Sequence, residues 1–295
     1  GSGLGLALTS PPIGMAWLAW FVWVPMFWAA RPGEGRRNAK IAYGAGIVST
    51  AVIYHWLIGT IQLFGGLPWL AGLGVLLLFA AGFSLVYPLI FGTVHWLRAR
   101  LGDAWLLATP ALWVSFEKLD PSLFPYYQGS TQYRTEATWQ FASVLGPTGL
   151  TFLIVLCNCL LAESIYRRWE QRPGPANYLK LFAAVMVLVV GWGAWRAQAV
   201  ESELETAPAV RVGLMQQDVT MEERLGATSA LTAIRDWMKQ TQQVSSAEPD
   251  LVLWAEGAIP FDASVGGEDP ERIPAFCGLT VEQYFEFMSG HGGAA

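Results

Sequence analysis

The sequence predicts a multi-span α-helical membrane domain followed by the start of an exported α/β domain. Three observations carry this reading. Of the 295 residues 53% are hydrophobic and only 14% charged, with a mean hydropathy of +0.36, whereas a soluble domain carries about a quarter charged residues. Up to Trp195 the charges gather in short clusters between long uncharged runs, and from Arg196 onward they are spread evenly. Finally, three of the charged clusters are basic and fall on one side in alternation.

The elements follow in order. The chain opens Gly1-Ser2-Gly3 without Met, which reads as an expression scar or a truncated product, with Leu4 to Leu8 as the tail of a longer helix. Ile13 to Ala30 is an uncharged, Trp-rich run of spanning length, kinked at Pro25. Ile41 to Phe64 is the second clear span. After the turn Gly65-Gly66-Leu67-Pro68 comes a third, Trp69 to Leu97, interrupted by Pro88. Ala104 to Phe116 is apolar but short. Val144 to Ala162 and Tyr178 to Trp195 complete a set of about seven spans, the first truncated.

Orientation follows from the basic loops. Those at 31–40, 98–103 and 167–180 hold ten of the 18 Lys and Arg residues, and such loops stay in the cytoplasm. The loop at 117–143 and everything after Arg196 then lie outside. Residues 1–198 form the membrane domain and 199–208 an acidic linker; 209–295 begin a water-facing domain. There, Ala209 to Met215 alternates like a strand. Glu222 to Val244 has Leu225, Leu231, Ile234 and Met238 at helical spacing, and Leu251 to Ala255 is a second strand. Strand, helix and strand make a βαβ-type opening.

That second strand lies in Asp250-Leu-Val-Leu-Trp-Ala-Glu256-Gly-Ala-Ile-Pro-Phe261. Gly257 and Pro260 end it, so Glu256 is placed at its C-terminal lip, where open α/β sheets set their chemistry. On the local pattern alone, a strand-end Glu facing water is the plainer reading.

These residues resemble the apolipoprotein N-acyltransferases, the membrane-anchored branch of the nitrilase superfamily. There the equivalent segment reads Trp-Pro-Glu-(Thr/Ser)-Ala-(Ile/Leu)-Pro; Trp254, Glu256, Ala258, Ile259 and Pro260 match, while Ala255 and Gly257 depart. Val212-Gly-Leu-Met-Gln216-Gln217-Asp218-Val219 is similar to the family's Val-Gln-Gly-Asn-Ile. In the membrane half, Pro110-Ala-Leu-Trp-Val-Ser-Phe-Glu117, Phe124-Pro125 and Gln140-Phe-Ala-Ser-Val-Leu-Gly146-Pro-Thr-Gly149-Leu150 resemble family segments in the same order.

The resemblance implies an exported nitrilase-like αββα sandwich, incomplete here, in a protein of the bacterial inner membrane. It implies a Glu-Lys-Cys catalytic set in which Cys takes an acyl group from a phospholipid as a thioester. The acyl group then passes to the α-amine of a diacylglyceryl-modified lipoprotein. Glu256 would be the general base. No cofactor or metal is implied, and the net charge of −5 with no basic face does not suggest nucleic acid. The match stops short of the full set: no Lys follows Lys239, and Cys277, the last cysteine, lacks the cationic setting of a reactive thiol. These residues alone are therefore expected to be an inactive fragment. A non-catalytic scaffold or lipid-binding relative, or a membrane-tethered amidase, are the alternatives.

The remaining candidates read more plainly. Cys157 and Cys159 lie in an apolar run and are expected to pack. His55 and His95 stand alone in spans without companion ligands, and His291 sits in a Gly-rich tail. The Trp residues read mostly as interfacial anchors and packing groups, and Tyr126, Tyr127 and Tyr133 as headgroup-level residues. Glu117 ends an apolar run, where a carboxylate either has a function near the lipid face or is an interfacial helix end beside Lys118.

Overall fold

A computed structural model describes residues 1–30, 34–119, 126–216 and 230–254. They fall into two units, Gly1–Thr206 and Ala207–Ala295. Among the described residues the regular structure of the first unit is helical: α1 (Ser2–Thr9), a 3-10 turn (Ala16–Trp20), α2 (Val24–Ala29), α3 (Gly35–Ile53), α4 (Leu57–Gly65), α5 (Trp69–Phe83), α6 (Val86–Leu101), α7 (Trp105–Leu119), a 3-10 turn (Gln128–Gln132), α8 (Glu136–Trp139), α9 (Ala142–Trp169) and α10 (Pro175–Thr206).

Among the described residues, three helical stretches are long and apolar enough to cross a membrane: Trp69–Leu119, Ala142–Trp169 and Pro175–Thr206. A fourth is the pair α3 and α4, bent by 56°. Trp69–Leu119 is not one rod. Trp113 meets both Tyr87 and Phe91 with ring centroids 6.1 Å apart, so α7 folds back along α6 from the reversal at Gly102, whose φ is +54°. At ~1.5 Å rise per residue, the 15 residues of α7 reach about 22 Å, short of the ~30 Å hydrocarbon core.

The run from Ile13 to Ala30, expected as a continuous span, is instead broken at 21–23 between the first 3-10 turn and α2. Asn158 of α9 explains the break. Its Oδ1 accepts the Trp23 backbone N–H at 2.8 Å and its Nδ2 donates to the Ala19 carbonyl at 2.9 Å, two groups that a continuous helix would have used itself. Pro25 therefore does not kink a span; it sits in the first turn of α2, where its missing N–H costs nothing. Pro88 acts upstream of its own position. It lacks the N–H that would bond the carbonyl of Ser84, four residues back, and the helix breaks there, between α5 and α6. Across the break the Thr50 and Ser84 hydroxyls lie 3.1 Å apart, tying α3 to the α5–α6 junction.

The aromatic core of this unit surrounds Trp23, Phe27, Phe91, Trp105 and Trp113, with Trp23 and Phe27 fully buried. At one end an ionic cluster joins four elements. The Arg98 guanidinium lies 4.0 Å from the Trp105 ring centre, donates to the Ala30 carbonyl at 3.1 Å and pairs with buried Glu163 at 3.4 Å. Glu163 also pairs with Arg167 at 2.8 Å, and Arg167 with Asp103. Two cations that set the expected orientation are thus partnered. Cys157 and Cys159 are buried and free, packed among apolar neighbours.

α10 continues through most of the stretch expected as a linker, because Glu201, Glu203 and Glu205 are good helix formers and only Pro208 forbids continuation. Arg196 and Glu203 pair across it at 3.0 Å.

In the second unit β1 (Val212–Met215) and β2 (Leu251–Trp254) pair in parallel, with Val212 opposite Leu251 and Met215 opposite Trp254. Between them in sequence runs α11 (Ala230–Ser245). Trp237 and Met215 form its small core with Val244 and Val252 beside them, and Trp237 stacks on Trp254 at 5.6 Å. Met238, expected on the buried face, is 42% exposed. The face actually used is Trp237, Thr241 and Val244, one helical register away, because the indole has the larger apolar surface to bury.

Candidate functional site

Two candidate carboxylates stand differently. Glu256 lies outside the described residues, as do Cys277 and the Gly257 to Pro260 segment. β2 is described to Trp254, two positions before Glu256. Glu117 is described, and it is turned inward.

α7 brings Trp113 and Glu117 to one face, one turn apart. Lys118, next in sequence, is exposed and lies 5.5 Å from the Tyr127 ring centre. Glu117 Oε1 instead accepts the Gln128 backbone N–H at 2.9 Å and the Trp113 indole N–H at 3.3 Å. These groups line a small open recess walled by Phe83, Val86, Tyr87, Phe116 and Tyr126.

The segment after α7 is folded into the helical unit. Gln128 and Gln132 are each 1% exposed. Gln128 Oε1 accepts from Trp23 Nε1 at 2.8 Å, and Gln132 Oε1 from Trp20 Nε1 at 3.1 Å. Gln132 Nε2 donates to the Ala16 carbonyl at 2.8 Å. The Gly129 N–H donates to Thr151 Oγ1 at 2.8 Å, and any Cβ at Gly129 would collide with the Pro147 carbonyl. Only glycine allows this approach.

Tyr126, expected at headgroup level, packs against the core with its hydroxyl 3.3 Å from that of Ser10. Burial there pushes its phenol above the ordinary value. A layer of amides, indoles and hydroxyls therefore crosses this end of an apolar bundle, with Glu117 as its carboxylate. Such groups are expensive in lipid and are kept for a purpose or a partner. Glu117 was visible in the sequence. Gln128 and Gln132 carry no sequence signal of burial, whereas Asn158, between two cysteines in an uncharged run, does.

Residues 2–160, which carry this whole layer, match the family model of the apolipoprotein N-acyltransferase N-terminal domain. The chain belongs to the apolipoprotein N-acyltransferase family. It is 28% identical over 267 residues to the apolipoprotein N-acyltransferase of Geobacter metallireducens, covering 88% of this chain and 50% of that protein. It is 28% identical over 237 residues to that of Vibrio cholerae, covering 77% and 43%. With apolipoprotein N-acyltransferase 2 of Leptospira interrogans it shares 22% identity over 275 residues, covering 88% and 46%. The chain thus spans about half the length of these curated family members.

Proposed function

We propose that this chain supplies the membrane domain, residues 1–198, and the opening of the exported nitrilase-like domain, residues 209–295, of an enzyme that N-acylates lipoproteins at the bacterial inner membrane. The observation that carries this reading is the family match over 2–160 together with helices long and apolar enough to span. The parallel β1 and β2, joined in sequence through α11, support an α/β opening after Thr206.

In the proposed reaction a cysteine thiol attacks the ester carbonyl of a phospholipid. Glu256 takes the thiol proton, a Lys stabilises the oxyanion, and the lysophospholipid leaves as its alkoxide is protonated. The α-amine of the S-diacylglyceryl cysteine then attacks the thioester. An amide forms, the thiol returns, and Glu256 mediates the second proton transfer. Among these residues Glu256 matches the set; no Lys follows Lys239, and Cys277 lacks a matching context.

The experiment joins this chain, through Phe261, to the second half of the Geobacter metallireducens family member and reconstitutes it in phospholipid vesicles. Acyl transfer to a diacylglyceryl-cysteine lipopeptide is followed by its mass. The joined chain is expected to add one acyl group and the 295 residues alone none. A folded joined chain that adds none, or hydrolyses amides instead, overturns the reading.

A further inference from the structure

The recess beside Glu117 holds two polar atoms that no described residue satisfies. Glu117 Oε2 and Gln128 Nε2 are both buried and without a hydrogen-bond partner among the described residues. The ionised carboxylate oxygen accepts and the amide nitrogen only donates. Both are held in place by their other halves. Gln128 Oε1 takes the Trp23 indole N–H at 2.8 Å, which fixes the orientation of the amide, and Glu117 Oε1 takes the Gln128 N–H at 2.9 Å. The Thr151 hydroxyl is within hydrogen-bonding reach of the carboxylate, and it is shared with the Pro147 carbonyl at 3.3 Å while its oxygen accepts from Gly129.

An open donor and an open acceptor inside an apolar setting call for a ligand that brings one of each. The other lining residues are aromatic or aliphatic. Leu85 and Leu119, near in sequence to residues of its wall, are exposed and apolar, as surfaces facing hydrocarbon are. An anionic head would repel Glu117 and offer it no proton, and an ammonium would leave Gln128 Nε2 open. A hydroxyl both donates and accepts at a single atom.

We propose that this recess binds the hydroxyl of a membrane-dissolved aliphatic alcohol. Its O–H donates to Glu117 Oε2, its oxygen accepts from Gln128 Nε2, and its chain leaves past Phe83, Val86 and Phe116. This site is independent of the acyl-transfer reading.

The test uses the full chain in phospholipid nanodiscs and three photoreactive probes, a diazirine-bearing octanol, its methyl ether and the corresponding amine. Sites of attachment are mapped by peptide mass. The alcohol is expected to label the peptides holding Phe83 to Tyr87 and Trp113 to Glu117. Excess octanol should suppress that labelling, and the ether should label about tenfold less, the size of one buried hydrogen bond. Equal labelling by the ether would reduce the recess to an apolar cleft. Stronger labelling by the amine would make it a cation site, and no labelling by any probe would leave it to water; each overturns the proposal. Because the probes differ and the protein does not, the outcome does not depend on a variant folding.

Discussion

Asn158 and Trp23, 135 positions apart, are joined by a 2.8 Å hydrogen bond from the Trp23 backbone N–H to the Asn158 side chain. The same side chain donates to the Ala19 and Ile154 carbonyls at 2.9 and 2.8 Å. One residue of α9 thus completes the backbone of a segment that would otherwise strand polar groups in hydrocarbon. Asn158→Leu should therefore cost about 1–3 kcal/mol for each group left unpaired. Hydrogen exchange at the Trp23 amide should rise well before global unfolding in detergent. Unchanged exchange there would mean the segment does not depend on this side chain.

Two glycines should respond oppositely to the same added methyl. At Gly129 the new Cβ meets the Pro147 carbonyl, while at Gly191, inside α10, it meets nothing within 4 Å. Gly129→Ala is expected to lose about 1–3 kcal/mol through overpacking. Gly191→Ala should be neutral or gain up to ~1 kcal/mol of helix propensity. Thermal unfolding of the two variants in the same detergent separates them.

The ionic cluster should tolerate losing a pair better than losing one partner. The Arg98 and Glu163 side chains are 6% and 7% exposed and 3.4 Å apart. Arg98→Met alone leaves Glu163 buried with one cation fewer and should cost about 3–5 kcal/mol. Adding Glu163→Gln, which keeps an acceptor for Arg167, should recover part of that loss. Thermal midpoints of the single and double variants measure the coupling.

From the basic loops we propose that the C-terminal unit lies outside the cytoplasm. Alkaline phosphatase joined after Glu205 is expected to be active, and joined after Arg100 or Arg172 to be inactive. The reverse pattern would invert the topology and remove the exported site.

Helical segments were legible because hydropathy is a property of composition. The interruptions were legible only in part, because a break depends on a partner that is distant in sequence. Pro88 announced a break, yet its position, at Ser84, follows from the carbonyl that the proline cannot bond, which the Tyr87 N–H takes instead at 3.2 Å. The run around Trp23 reads as one span until Asn158 is known to supply its missing bonds. In α11 the spacing of Ile234 and Met238 pointed to the neighbouring face, and Trp237, the largest side chain available, decided the register. Glu117 stood out as a carboxylate in an apolar run. Gln128 did not, since a loop glutamine carries no mark of being buried. Glu256 was placed by its segment alone and lies outside the described residues.

The most direct measurement follows the acyl-enzyme itself. The chain joined through Phe261 to the second half of the Geobacter metallireducens family member is mixed with phospholipid and no lipopeptide. Its intact mass is then recorded with and without hydroxylamine. One acyl chain, released by hydroxylamine, is expected on the unaltered protein, and Glu256→Gln should slow its appearance by about 10²–10⁴-fold, the usual worth of a general base. Acylation of the Glu256→Gln protein at the unaltered rate would contradict the assignment of Glu256 as the base.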